Sequence, residues 1–152
     1  MEVLHSRCDG LDVHRDTVVA CIRVQPAGAG KASNELRTFG TMTGALLELS
    51  EWLTAHEVTH VAMEATGIYW RPVWHVLSGD FDLLLANPEH IKAVPGRKTD
   101  MGDSEWLAVL ARFGLVRGSF IPPKDLRELR LISRYRRKLS QMLSSETNRM
   151  HK

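Results

Sequence analysis

The sequence predicts an α/β fold: a mixed sheet with flanking helices, followed by a basic C-terminal helix. Two short segments rich in β-branched residues open the chain, and strand-like and helix-like patterns alternate after them. The stretch from Asp125 to about Met150 has the period of one long helix. The composition, with 43% hydrophobic and 25% charged residues in 152, is that of a folded globular chain.

The opening segments predict a β-meander. Residues 8–13 and 17–24 form two short strands, and the polar residues 14–16 between them predict a hairpin turn. Residues 26–33 are rich in glycine and alanine, which indicates a flexible connection. A third strand over 35–41 then completes the meander.

Helices and strands alternate in the middle of the chain. In order, the predicted elements are a helix from Gly44 capped by Thr43, a strand over 59–64, a short helix over 69–77 and a strand over 81–86. Asn87-Pro88 ends the last strand, and residues 88–98 are predicted to be a loop. Tyr69, Trp70 and Trp74 are predicted to be core residues, because aromatic side chains at helical spacing are usually buried.

A further helix is predicted from a cap at Thr99 or Asp100 to about Phe113. Pro122-Pro123 closes this part of the chain, so we predict one domain over 1–121 and a basic helix over 122–152. In the basic helix, apolar residues recur at three- and four-residue spacing, a heptad seam broken by Arg136. The seam is short for a coiled coil that is stable by itself.

The charge is divided unevenly along the chain. The overall net charge is +2, but the balance is −4 up to Ile121 and +6 from Pro122 onward. Such a split favours an anionic polymer as partner, although a solvated charged helix face explains it equally well. The basic candidates for phosphate contacts are Arg97, Lys98, Arg134, Arg136, Arg137 and Lys138. For Arg97 and Lys98, ordinary loop charge is the alternative.

Other sequence features exclude several classes of protein. No apolar stretch is long enough to cross a bilayer, and the N-terminus lacks the order of a signal peptide. Cys8 and Cys21 are too few for a disulfide framework, and we expect two buried thiols in a cytoplasmic protein.

Four acidic residues lie where a ligand site is expected. Asp12 lies between apolar residues of the first strand, where an unpaired carboxylate is costly to bury. Glu64 ends a later strand, and open α/β sheets bind ligands at that end. Asp100 and Asp103 are three residues apart at a predicted helix start, so their carboxylates project from one face.

These acids also have ordinary explanations. Asp100 and Asp103 suit the positive end of a helix dipole, and Glu64 suits an exposed strand end. Of the two nearby aspartates, Asp9 is predicted to face solvent and Asp16 to lie in the hairpin turn. If the four acids share one site, a cation must lie between them, and oxygen-only ligands favour Mg²⁺ or Mn²⁺. Two such ions about 4 Å apart serve phosphodiester chemistry.

Motifs in this order resemble those of the DEDD transposases of the bacterial insertion-sequence family numbered one hundred and ten. They are Gly10-Leu11-Asp12-Val13-His14, Met63-Glu64-Ala65-Thr66-Gly67-Ile68-Tyr69-Trp70, Asn87-Pro88 and Lys98-Thr99-Asp100-Met101-Gly102-Asp103. The resemblance covers nearly the whole chain, and the ordered set is more specific than any single motif.

The resemblance implies a ribonuclease-H-like fold of the Holliday-junction-resolvase type. It also implies a two-Mg²⁺ catalytic tetrad at Asp12, Glu64, Asp100 and Asp103. Family members are recombinases guided by a structured RNA that pairs with DNA, and a coiled-coil region helps them assemble dimers and tetramers. The basic helix is similar to the start of that region.

Family members are longer and carry a second domain with a serine thought to attack DNA, and no serine here matches that motif. We therefore expect recombination to need more than this chain. Two alternatives remain open: a stand-alone, structure-selective nuclease of the same fold, and a non-catalytic module that binds nucleic acid or dimerises.

Overall fold

The computed structural model describes residues 2–26, 32–96 and 101–151. The chain divides into two compact units, Met1–Ser119 and Phe120–Lys152. The first unit contains a five-stranded sheet with helices, and the second contains one long helix. Within the described residues, no helix is both long enough and apolar enough to span a membrane.

The sheet is mixed, as the sequence predicts. Its strands are β1 (Arg7–Val13), β2 (Thr17–Val24), β3 (Ser33–Gly40), β4 (His60–Glu64) and β5 (Asp82–Ala86), in the order β3-β2-β1-β4-β5. The first three strands form the predicted antiparallel meander, and β4 and β5 continue the sheet parallel to β1. Most of the predicted connection over 26–33 lies outside the described residues.

Within the described ranges, five helices accompany the strands. They are α1 (Thr43–Ala55), α2 (Trp70–Leu77), α3 (Pro88–Ala93), α4 (Asp103–Arg112) and α5 (Lys124–Met150). Helix α4 packs on β1, β2 and β4, and α1 contacts α2 and β3. Both faces of the sheet centre are covered, because the successive residues Cys8 to Leu11 of β1 are all buried.

Glycine is required at position 10 because α4 lies directly on β1. A Cβ atom built on Gly10 would collide with the carbonyl oxygen of Ser104 and the amide nitrogen of Ala108, and it would lie 2.8 Å from the Cβ of Leu107. Helix backbone cannot yield as a flexible side chain can. The close approach therefore fixes the height of α4 above the sheet.

Three sequence-based predictions of local structure are wrong. The predicted loop over 88–98 contains helix α3, because the Asn87 side chain accepts a 2.9 Å hydrogen bond from the Glu89 amide and Pro88 occupies the first turn. Thr43 is the first helical residue of α1 rather than its cap. Helix α4 begins at Asp103, since Met101 and Gly102 are not helical.

The aromatic residues around α2 are less buried than predicted. Trp70 and Trp74 are only partly buried, and their rings meet edge to face with centroids 6.0 Å apart. Tyr69 is exposed. The helix buries Val73 and Leu77 instead, so its core face carries aliphatic residues.

Asp9 is buried, which contradicts the prediction that it faces solvent. It lies in the middle of β1 opposite Ile22, and among the described residues neither carboxyl oxygen makes a hydrogen bond of normal geometry. Desolvation raises the pKa of Asp9 to about 8, although the amides of Gly10 and Cys21 act in the opposite direction. The carboxyl group is therefore protonated at neutral pH.

The two cysteines are buried free thiols, as predicted. Cys8 Sγ lies 3.3 Å from the Ala108 carbonyl oxygen of α4. Burial raises the pKa of both thiols to about 12. Both are thus packing groups rather than nucleophiles at neutral pH.

Gly10→Ala tests the contact between β1 and α4. We expect it to lower the free energy of unfolding by about 1–3 kcal/mol, because the added methyl group overpacks against helix backbone. Gly44→Ala in α1 is the control, since a Cβ atom there meets nothing within 4 Å. Urea denaturation measures the free energy of unfolding of both variants. If Gly10→Ala lowered it no more than Gly44→Ala does, the close contact between β1 and α4 would be refuted.

Asp9 makes stability depend on pH. The carboxyl group keeps its proton in the folded chain up to about pH 8, whereas an unfolded aspartate loses it near its ordinary pKa of 3.8. Unfolding therefore releases a proton between these values, and stability falls as pH rises, by up to about 1.4 kcal/mol per pH unit.

Denaturant unfolding at a series of pH values checks this dependence. Asp9→Asn should flatten the slope between pH 5 and pH 8, because the amide cannot ionise. Asp16→Asn is the matched control, since the Asp16 side chain is 86% exposed in the hairpin turn, and it should keep the slope. A slope unchanged by Asp9→Asn would show that this carboxyl group is not its source.

Candidate functional site

A cleft of about 220 Å³ brings together acidic residues from three elements. Asp12 comes from β1, Glu64 from the end of β4 and Asp103 from the start of α4. The other lining residues are Val13, His14, Thr66, Pro88, Ile91, Lys92, Trp106 and Leu107. Three of the four acids predicted from the sequence thus share one cleft.

The sheet register places Asp12 beside Glu64. Strands β1 and β4 are parallel, with Leu11 paired to Met63, so the next residue of each strand lies at the same edge. Side chains alternate between faces, and Asp12 therefore projects from the same face as Gly10, the face that α4 covers. Both acids stand at the carboxyl ends of their strands, where open α/β sheets bind ligands.

The start of α4 brings the third acid to this edge. The Gly102 amide donates a 3.0 Å hydrogen bond to the Glu105 carboxylate, which stabilises the first turn. Asp103 is the first residue of the helix, so its charge also suits the helix dipole. The position of Asp103 therefore suits both a metal ligand in the cleft and an acid that stabilises the start of the helix.

His14 is a polar partner of Asp12 in the cleft. The Oδ2 atom of Asp12 lies 3.1 Å from Nε2 of His14, and the Asp12 side chain is 22% exposed whereas that of His14 is 58% exposed. The half-buried carboxylate keeps access to the cleft, and the imidazole lies at its mouth. From the sequence, His14 is predicted to lie in the hairpin turn and in a family motif, but not to act in the site.

Lys92 adds an ammonium group to the lining of the cleft. It lies on α3, the helix that replaces the predicted loop, and its side chain is exposed. The signal for this helix was present in the sequence, because Asn87-Pro88 is a typical cap followed by a first-turn proline. If the pair is interpreted as a helix breaker, no helix is predicted here, and Lys92 is not recognised as a residue of the site.

The remaining predicted site residues lie elsewhere. Arg97, Lys98 and Asp100 are outside the described residues. The other four basic candidates, Arg134, Arg136, Arg137 and Lys138, belong to α5 in the second unit. In the part of the chain that the structure describes, no three His, Cys, Asp or Glu side chains are close enough to hold a metal ion.

Comparison with protein families gives the relationship of the chain. The model of the DEDD transposase family DEDD_Tnp_IS110, described as "Transposase", matches residues 10–152. The chain belongs to this family. A comparison with the curated proteins finds no match.

Solved structures similar to this transposase domain include Holliday junction resolvases. RuvC of Thermus thermophilus has a TM-score of 0.54 at 14% identity, covering 74% of this chain and 99% of that chain. The same protein with a Holliday junction substrate has a TM-score of 0.49 at 13% identity, covering 76% and 100%. The Fowlpox virus resolvase with junction DNA has a TM-score of 0.43 at 10% identity, covering 61% and 65%. The predicted ribonuclease-H-like fold is confirmed.

Proposed function

We propose that this chain is the metal-binding catalytic domain of a DEDD transposase that acts on DNA. The observation that carries the proposal is the convergence of Asp12, Glu64 and Asp103 on one cleft. The family relationship and the ribonuclease-H-like fold support it. The cleft lies at the carboxyl end of the parallel strands, where such a fold is open to a ligand.

The donor atoms of the cleft suit Mg²⁺ or Mn²⁺. All three acids offer carboxylate oxygens, which are the ligands that these hard cations prefer. Two cations bound there would activate the attacking oxygen and stabilise the leaving oxygen of a phosphodiester. Asp100 is the proposed fourth ligand.

Electrostatic repulsion opposes close approach of the three acids unless a cation lies between them. Ionised carboxylates repel each other when no cation separates them. The three acids line one cleft yet form no tight cluster among the described residues. In this proposal the chain holds them in place from three rigid elements, and binding a cation draws their side chains together.

Lys92 gives the cleft an ammonium group and His14 gives it an imidazole, and both can contact a phosphodiester. The Lys92 ammonium would contact a phosphate oxygen, and the His14 imidazole, now 3.1 Å from Asp12, would be released toward solvent or substrate. These two residues bind and orient the substrate in this proposal, while the acids hold the cations.

The proposed partners are DNA and a structured guide RNA, with assembly of the transposase into dimers or tetramers in the cytoplasm. The positive charge of the second unit supports a polyanionic partner. Arg97 and Lys98, next to Asp100, are proposed phosphate contacts. If RNA pairing selects the DNA target, no side chain of this chain needs to read bases.

A stand-alone, structure-selective nuclease is the second candidate. The observation that favours it is that the chain covers 99% of the RuvC structure, so one resolvase-sized fold is present. Metal-dependent cutting of a four-way DNA junction by this chain alone would support that candidate. Metal binding without cutting of the junction would support the transposase domain.

Calorimetric titration with Mn²⁺ and Mg²⁺ tests the proposed metal site. We expect the wild-type chain to bind either cation, and Asp12→Asn to weaken binding by about tenfold or more, because it removes a ligand charge. The control is Asp16→Asn, four residues along the same hairpin, which should bind the cations as the wild type does.

Two results would contradict the proposed site. Equal metal affinity in the wild type and in Asp12→Asn would place the cations elsewhere. Retained nucleic-acid affinity with no metal binding at all would favour the non-catalytic binding module. Unfolding measurements on each variant separate loss of the site from loss of the fold.

A further inference from the structure

Helix α5 separates its charges by face. At about 100° per residue, five of its basic residues fall within an arc of about 100°. We call them the basic stripe: Arg127, Arg130, Arg134, Arg137 and Lys138. No residue of α5 is buried within its unit, so all five side chains are open to a ligand.

The basic stripe has no acidic partners in the part of the chain that the structure describes. The ion pairs recorded on α5 are Lys124 with Glu128 at 3.9 Å and Arg149 with Glu146 at 2.9 Å, and both lie outside the stripe. The three acids of the helix, Asp125 included, project from the opposite half. Uncompensated arginines aligned on one face form an anion-binding surface rather than an ion-pair network.

Arg136 lies on the other side of the helix. Viewed along the helix axis, the Arg136 side chain projects between those of Leu129 and Leu143. This face carries most of the exposed apolar side chains of α5, Ile132 among them. Arg136 is adjacent to Arg137 in the sequence but points about 100° away from it. The basic cluster predicted from the sequence is therefore divided between two surfaces.

We propose that the basic stripe binds a nucleic-acid phosphate backbone and that Arg136 takes no part in this contact. The stripe extends about 15 Å from Arg127 to Arg137 along the helix, equal to the rise of about four base pairs. Arginine suits this role because its planar guanidinium makes paired hydrogen bonds with phosphate oxygens. The inference shares only the nucleic-acid partner with the proposed function and is independent of the acidic cleft.

Fluorescence anisotropy with the whole chain tests the stripe. The probes are a labelled DNA duplex and a labelled RNA duplex of the same length and sequence, each titrated at several salt concentrations. We expect Arg134→Gln combined with Arg137→Gln to weaken binding roughly tenfold. The slope of log affinity against log salt should become shallower by about 1.8, since two phosphate contacts are lost.

The matched control is Arg136→Gln, which removes the same charge one residue away. It should leave both the affinity and the salt slope near the wild-type values. Circular dichroism of each variant verifies that α5 remains helical. Preference for one duplex over the other identifies whether DNA or RNA is the better ligand of the stripe.

Three outcomes would overturn the inference. An equal loss of binding in Arg136→Gln and in the double variant would mean that charge acts without regard to helix face. Wild-type affinity in the double variant would place the contact elsewhere. Binding to anionic lipid vesicles with no binding to either duplex would show a membrane-surface helix. Calorimetric titration of the double variant with Mn²⁺ separates these outcomes from a failure of the proposed metal site, because the stripe and the cleft are independent. The double variant should bind the cation as the wild type does.

Discussion

The absence of a side chain at Gly10 allows α4 to lie directly on the central strand, and the candidate site depends on that contact. The strand that carries Gly10 presents Asp12 two residues later on the same face, and the helix begins at Asp103. Parallel pairing of β1 with β4 adds Glu64 at the same edge. One close packing contact and one strand register therefore place three acids from distant parts of the chain around a common cleft.

Asp9 and Asp12 show how strand alternation gives two aspartates different chemistry. They are three residues apart in β1 and so project from opposite faces of the sheet. Asp9 enters a covered interior, where no described residue gives it a hydrogen bond of normal geometry, and burial raises its pKa to about 8. Asp12 opens into the cleft beside His14. Only the second of these carboxylates is available to a cation.

The sequence was sufficient for the positions of the strands and of most helices along the chain, because periodicity and turn residues are local signals. The burial of the Asp9 side chain was not predictable from its neighbours Cys8 and Gly10, since burial depends on which elements cover each face of the sheet. Lys92 was missed because Asn87-Pro88 was interpreted as a breaker rather than as a helix start. Arg136 and Arg137 were grouped by adjacency, whereas helical phase separates them.

Paramagnetic broadening by Mn²⁺ in the NMR spectrum of the isotope-labelled chain tests the central claim most directly, since it locates a bound cation without requiring activity. Substoichiometric Mn²⁺ should first broaden the backbone signals near Asp12, Glu64 and Asp103, which lie far apart in sequence but line one cleft. Broadening centred on exposed acids such as Asp80 and Asp82, or no broadening at any site, would contradict the account of the cleft as a cation site.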